Sequence, residues 1–196
     1  MGEIKSALEL ALERTADVKS DRSRVDAYEA RQAGMKLAGR FLSDPQVDVR
    51  RALKDAGDQR KATSEGFFQV MLSHLALPTQ ETDLQRLAQV QAGLEQVIPN
   101  TNTVTVIMEQ VAQLLQQFLD TRNQFTEKLR QQFEPRMREK EQQIAQQTGR
   151  RVKLDPASDP EFAKVLNQNL QRLQQQYSQV VEQAREQLSG LFDQRA

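Results

Sequence analysis

The chain of 196 residues carries 27 Lys+Arg against 27 Asp+Glu. Its formal net charge is therefore zero, with no general electrostatic pull on nucleic acid or anionic lipid. Cysteine is absent, which excludes disulfides, thiolate metal sites and a cysteine nucleophile. With 38% hydrophobic, 28% charged and 5% aromatic residues and no tryptophan, the chain suits long amphipathic helices rather than a thick multilayer core.

No apolar run approaches the ~20 residues of a membrane span, so an integral membrane protein is not expected. The opening Met-Gly-Glu-Ile-Lys-Ser lacks the basic-then-apolar layout of a signal peptide. Gly2 and Ser6 fit the loose myristoylation pattern, but Glu3 and the want of a second lipidation signal speak against it. A cytoplasmic protein is the expectation.

Taken in order, Glu3 to Val18 reads as a helix with Ile4, Ala7, Leu8, Ala11, Thr15 and Val18 on one face. Its acid-leaning polar face disfavours a membrane anchor and favours docking on the protein itself. Asp21 or Ser23 can cap a second helix from about Arg24 to Leu42, bearing Val25, Tyr28, Met35, Leu37, Phe41 and Leu42. Gly34 and Gly39 inside it mark either close approach of a neighbouring helix or a weak helix. Ser43-Asp44-Pro45 stops and restarts the chain. A short helix through Val49, Leu53 and Ala56 reaches Gly57. A fourth runs to Leu77, ended by Pro78, with Phe67, Phe68, Val70, Met71, Leu72 and Leu75 as the densest apolar cluster. His74, the single histidine, lies on it without a second histidine or a cysteine to make a metal or catalytic pair.

Thr79 or Thr82 opens a fifth helix that closes at Ile98-Pro99-Asn100. Beyond Pro78 glutamine becomes the commonest polar residue, a good uncharged helix former. From about Asn102 to Thr148-Gly149 comes the longest helical run, with a stripe of Val104, Ile107, Val111, Leu114, Phe118, Phe125, Leu129, Phe133, Met137 and Ile144. Pro135 within it predicts a kink or a break, with Glu134, a poor cap, favouring the kink. Gly149 is placed to end the helix in the left-handed conformation. Ser158-Asp159-Pro160-Glu161 restarts one, with Ser158 or Asp159 as cap and a capping-box spacing from Ser158 to Glu161.

The final helix carries a packing seam at Leu166, Leu170, Leu173, Tyr177, Val180, Ala184, Leu188 and Leu191. This is heptad spacing to Val180, then an eleven-residue repeat that unwinds a left-handed supercoil. The two last helices are expected to form an antiparallel hairpin. Arg136, Arg138, Lys140, Arg150, Arg151 and Lys153 gather around its turn against Glu139, Glu141 and Asp155. That imbalance suggests a docking tip for an acidic partner; without interleaved aromatics, specific nucleic-acid binding is disfavoured. The bland alternative is a solvated helix end whose cations complement the dipole.

Met-Gly-Glu-Ile-Lys-Ser-Ala-Leu-Glu-Leu-Ala-Leu-Glu-Arg-Thr at the start and Leu-Asp-Pro-Ala-Ser-Asp-Pro-Glu-Phe at Leu154–Phe162 resemble a family of uncharacterised bacterial proteins of about this length. The resemblance implies a bacterial cytoplasmic all-helical protein without assigned activity, and no functional residue comes with it. By shape alone the hairpin is also similar to phasins, holdase chaperones and coiled-coil adaptors, a likeness that does not fix function.

The expected architecture is all-α: an N-terminal helical part over 1–100 and a long coiled-coil-like hairpin over 101–196, kinked near 135 and turning at 149–160. Phe118, Leu119, Phe125 and Phe133 would meet a second copy in a homodimer. No phosphate loop, nucleophile elbow, paired histidines or calcium loop occurs. Carboxylate pairs such as Glu9/Glu13 and Glu182/Glu186 lack the Glu-x-x-His element of a di-metal bundle. The expectation is therefore no cofactor, no metal and no catalytic set. It is a non-enzymatic adaptor or scaffold, with a chaperone-like or surface-associated helical protein as the alternative and nucleic-acid binding at the tip as a third.

Overall fold

The computed structural model describes residues 7–194, with side chains from Ser23 onward. These residues form α1 (Ala7–Ser43), α2 (Val49–Asp55), α3 (Arg60–Ser73), α4 (Glu81–Val97), α5 (Thr101–Thr148) and α6 (Pro160–Asp193), with 3-10 turns at Gly57–Gln59 and Pro156–Ser158. No strand occurs among the described residues, so the class is all-α. Two compact units result. The first takes the described residues up to Leu75, Ala88–Val104 and the chain end from Phe192; the second takes Ala76–Leu87 and Thr105–Leu191. Where the sequence suggested one division at residue 100, α4, α5 and α6 each contribute to both units.

The expected break at Asp21–Ser23 does not occur, because α1 runs through it. Neither glycine nor proline lies between Ala7 and Ala33. Interior Ser and Asp cost only a few tenths of a kcal/mol each, which is less than the cost of nucleating a second helix. The stripe from Ile4 to Val18, like Gly2 and Ser6, lies outside the described side chains. Val25 and Tyr28, expected on the packed face, are exposed at 56% and 62%, and the buried stripe begins at Ala30 and continues through Leu37, Ala38 and Phe41.

In the first unit this stripe meets α3, which buries Thr63, Ser64, Gly66, Phe67, Phe68 and Met71. Phe41 and Phe67 pack edge-on with centroids 6.0 Å apart, and Phe68 stacks on Phe192 at 4.0 Å. Gly34 is the close-approach kind of glycine: a Cβ there would fall 1.9 Å from the Thr63 carbonyl oxygen. Gly39 meets nothing within 4 Å. Arg31 flanks the crossing, with Nη2 2.8 Å from Glu65 Oε2. The short helix appears as expected: Asp48 caps α2 by accepting the Arg51 N–H at 2.9 Å, and Gly57 leaves it with φ +54°.

α3 ends at Ser73, four residues short of the expected Leu77, and His74 is exposed at its C-cap. Pro78 disfavours helical backbone at Leu77, so the helix closes earlier in a tight turn from the Leu75 N–H to the Leu72 carbonyl, 3.0 Å. Asp83 anchors the start of α4, its Oδ2 accepting the Thr79 N–H at 2.8 Å and the Gln80 N–H at 3.1 Å. Those bonds hold its carboxyl below the usual range, the Thr79 hydroxyl contributing most. Asn100 opens α5 by accepting the Thr103 N–H at 3.2 Å, so the strand-like Val104-Thr105-Val106-Ile107 lies in a helix.

In the second unit, α5 and α6 meet ring to ring. Phe118 lies 5.4 Å from Tyr177, and Phe133 lies 5.4 Å from Phe162. Between these contacts one helix rises from 118 to 133 while the other falls from 177 to 162, the same step in opposite directions. Arg136 with Asp159, and Glu141 with Leu154, continue that spacing. The helices are antiparallel neighbours in constant register. α5 is unbroken through Pro135, so the expected interruption is not a break.

The seam differs from expectation at one position. Leu166, Leu170, Leu173, Tyr177 and Leu191 are half-buried, and Ala184 and Leu188 are buried. Val180, however, is 43% exposed, and its neighbour Val181 is 4% exposed. A 3.6-residue helix drifts against a 3.5-residue repeat, and the compensating four-residue step falls after Tyr177 rather than after Val180. Likewise Leu115 is buried where Leu114 was expected. Phe118 and Leu119, offered to a second copy, are already covered within one chain.

Candidate functional site

The turn joining α5 to α6 is built by local backbone chemistry. Gly149 ends α5 at φ +68°, its N–H bonded to the Ala145 carbonyl at 2.9 Å. Residues 150–155 have no regular secondary structure. Glu141 Oε1 accepts the Leu154 N–H at 2.6 Å and pins the returning chain to α5. Asp155 accepts the Ala157 N–H at 2.9 Å, and the Ser158 hydroxyl donates to the Asp155 carbonyl at 2.6 Å. The Glu161 N–H bonds Asp159 instead, so the expected capping box from Ser158 to Glu161 does not form.

Asp159 is the cap. Its Oδ1 accepts the N–H groups of Glu161 at 2.9 Å and Phe162 at 3.4 Å, while Oδ2 takes Lys140 Nζ at 2.6 Å. Arg136 Nε lies 3.9 Å away, and Arg136 also bonds Glu161. Asp159 is buried, and the Lys140 ammonium, then the two backbone N–H groups, hold its carboxyl below the ordinary range against the opposing effect of burial. Arg136 is shifted upward, chiefly by Glu161, and its guanidinium stands 5.8 Å from the Phe133 centroid. Arg138 pairs with Glu134 one turn back at 3.0 Å.

Folding thus separates the six cations into two sets. Arg136, Arg138 and Lys140 are held by carboxylates of the same unit. Arg150, Arg151 and Lys153 are exposed and make no ion pair among the described residues, and Val152 between them is 43% exposed. Counting charges in the sequence could not reveal this division. Asp159 was legible as a cap from Asp-Pro, but its ionic role depends on the register of two helices.

The first unit also has an open cleft of about 740 Å³. Its lining mixes Arg50, Arg60 and Lys61 with Asp58, Glu65, Glu95 and Asp193, so it does not present one sign of charge to a ligand. Among the described residues, no group of three or more His, Asp or Glu side chains is placed to hold a metal ion, and no helix is long and apolar enough to cross a membrane.

The chain belongs to DUF6657, a family of unknown function, whose model matches residues 51–190. That span includes the paired helices and Leu154–Phe162, one of the two stretches that carried the resemblance. No curated protein and no solved structure matches the chain.

Proposed function

We propose that this member of DUF6657 is a non-enzymatic adaptor that docks an acidic protein partner on the turn between α5 and α6. One observation carries the reading: Arg150, Arg151 and Lys153 remain unpaired beside an exposed Val152, while the other three cations of the cluster are consumed within the fold. A carboxylate-rich surface supplies the missing counter-charges, and the arginine forks suit carboxylates. The apolar Val152 favours a protein over a phosphate backbone. A homodimer would rest on the half-buried Phe125 and Phe133, since Phe118 and Leu119 are covered within the chain.

The test is charge reversal of the full-length protein. At ~0.15 M salt, where surface attraction is screened beyond ~8 Å, wild-type protein is expected to bind immobilised polyglutamate. The variant Arg150→Glu/Arg151→Glu/Lys153→Glu should flow through with unchanged helical circular dichroism. Reversal of the exposed Arg130 and Lys164 should leave retention intact. Equal retention of wild type and the triple variant would remove the tip from the function.

A further inference from the structure

The segment that presents these cations is also an unpaired backbone edge. Leu154 is tied to Glu141, whereas Gly149 lies eight residues further along α5, about 12 Å at 1.5 Å per residue. Five residues cover this distance. A helical segment would advance about 7.5 Å and an extended one about 17 Å. Residues 150–154 therefore return largely extended alongside the last two turns of α5, and Asp155, next in line, has φ −85° and ψ 130°.

Among the described residues, nothing accepts from the N–H groups of Arg151, Val152 or Lys153, and nothing donates to the carbonyls of Arg150 through Lys153. Alternation along an extended chain sends Arg151 and Lys153 to one side and Val152 to the other. Such an edge is a template for a second strand, and the Gly149 bond to Ala145 at one end and the Leu154 bond to Glu141 at the other keep it in place.

Resting on the reading of this turn as the docking surface, we infer that what docks is an extended acidic peptide segment. It adds its backbone to residues 150–153 as a β-type pair, with its carboxylates on Arg151 and Lys153, which share one side of the segment. Backbone pairing supplies affinity, and alternating acidic and apolar side chains supply selectivity, because the edge alternates cation and valine. A folded acidic surface could satisfy the charges but not the backbone groups.

The experiment follows the amide signals of the full-length protein on titration with an eight-residue peptide of alternating Glu and Val. It uses also the Gln counterpart and two N-methylated isomers, methylated at every Glu or at every Val. In an extended pair only alternate peptide N–H groups face the protein. One isomer should therefore bind roughly tenfold more weakly than the parent while the other matches it. Parent binding should shift the amides of Arg151, Val152 and Lys153, and the Gln peptide should not bind. If both isomers match the parent, charge alone is read: backbone pairing is overturned and the acidic-partner reading stands. Shifts confined to other amides, or tighter binding of a DNA duplex at the same amides, overturn the inference. No peptide binding combined with retention on polyglutamate also overturns it while leaving the broader reading in place.

Discussion

Gly34 on α1 and Gly66 on α3 hold the two sides of one reciprocal helix crossing. A Cβ on Gly34 would fall 1.9 Å from the Thr63 carbonyl oxygen, and a Cβ on Gly66 would fall 2.0 Å from that of Arg31. Both obstacles are backbone and cannot rotate away. Gly34→Ala and Gly66→Ala should each destabilise by about 1–3 kcal/mol or more, the range for overpacking, outweighing the ~1 kcal/mol gained in helix propensity. At Gly39 and Gly190, where nothing lies within 4 Å, the same substitution should stabilise by about 0.5–1 kcal/mol. Urea unfolding of the four variants checks the opposite signs; a uniform response would remove the crossing from the account.

Asp159 combines a cap with two ion pairs, and replacements separate the roles. Asparagine keeps an acceptor for the Glu161 N–H but loses the attraction to Lys140 and Arg136; alanine loses both. Thermal unfolding should rank wild type above Asp159→Asn above Asp159→Ala. The carboxyls of Asp159 and Asp83 lie below their ordinary values in the folded protein. Their contribution is therefore present above the unfolded carboxylate value, about 3.9, and lost as pH falls through the folded values. Acid titration should show wild type losing its advantage over Asp159→Asn below roughly pH 4. An advantage unchanged at pH 2 would contradict the ionic role.

Pro135 interrupts the hydrogen bonding of α5 without disturbing its pairing with α6. Phe133 and Phe162 meet just before it, and Arg136 and Asp159 just after it, in the same register. Proline in a helix interior costs ~3 kcal/mol, and the register shows no compensating shift at this point. Pro135→Ala is therefore expected to stabilise by roughly 1–3 kcal/mol. A destabilised variant would mean that packing around Phe133 relies on the bend proline imposes.

Sequence periodicity located the helices because each buries a stripe, and signals such as Gly149 and Asp159 announced where one ends and the next begins. It failed where the deciding atoms belong to another helix. Glycine type, heptad phase and ion pairing are settled by distant neighbours, which is why Gly66 went unnoticed and the charge at Asp159 was invisible. The phase of α6 offers a direct check. Val181→Ala should cost about 1–2 kcal/mol, and Val180→Ala, one residue away, under about 0.5. Equal costs would return Val180 to the seam.

The extended turn predicts how the chain is first cut. Trypsin needs several residues of local extended backbone on either side of the scissile bond, and most Lys and Arg of the described chain lie in helices that must open first. Arg150, Arg151 and Lys153 need no such opening, because their segment is exposed and has no regular secondary structure. Among the sites of the described residues, brief digestion under native conditions should therefore cut first at these three positions, ahead of Arg60 and Lys61 at the start of α3. The unmethylated Glu–Val peptide described above should slow this cut, since it would occupy the same edge. Mass spectrometry of the earliest fragments decides it. A first cut at Arg60 or Lys61 would show that the turn between α5 and α6 is more firmly held than its exposed cations indicate.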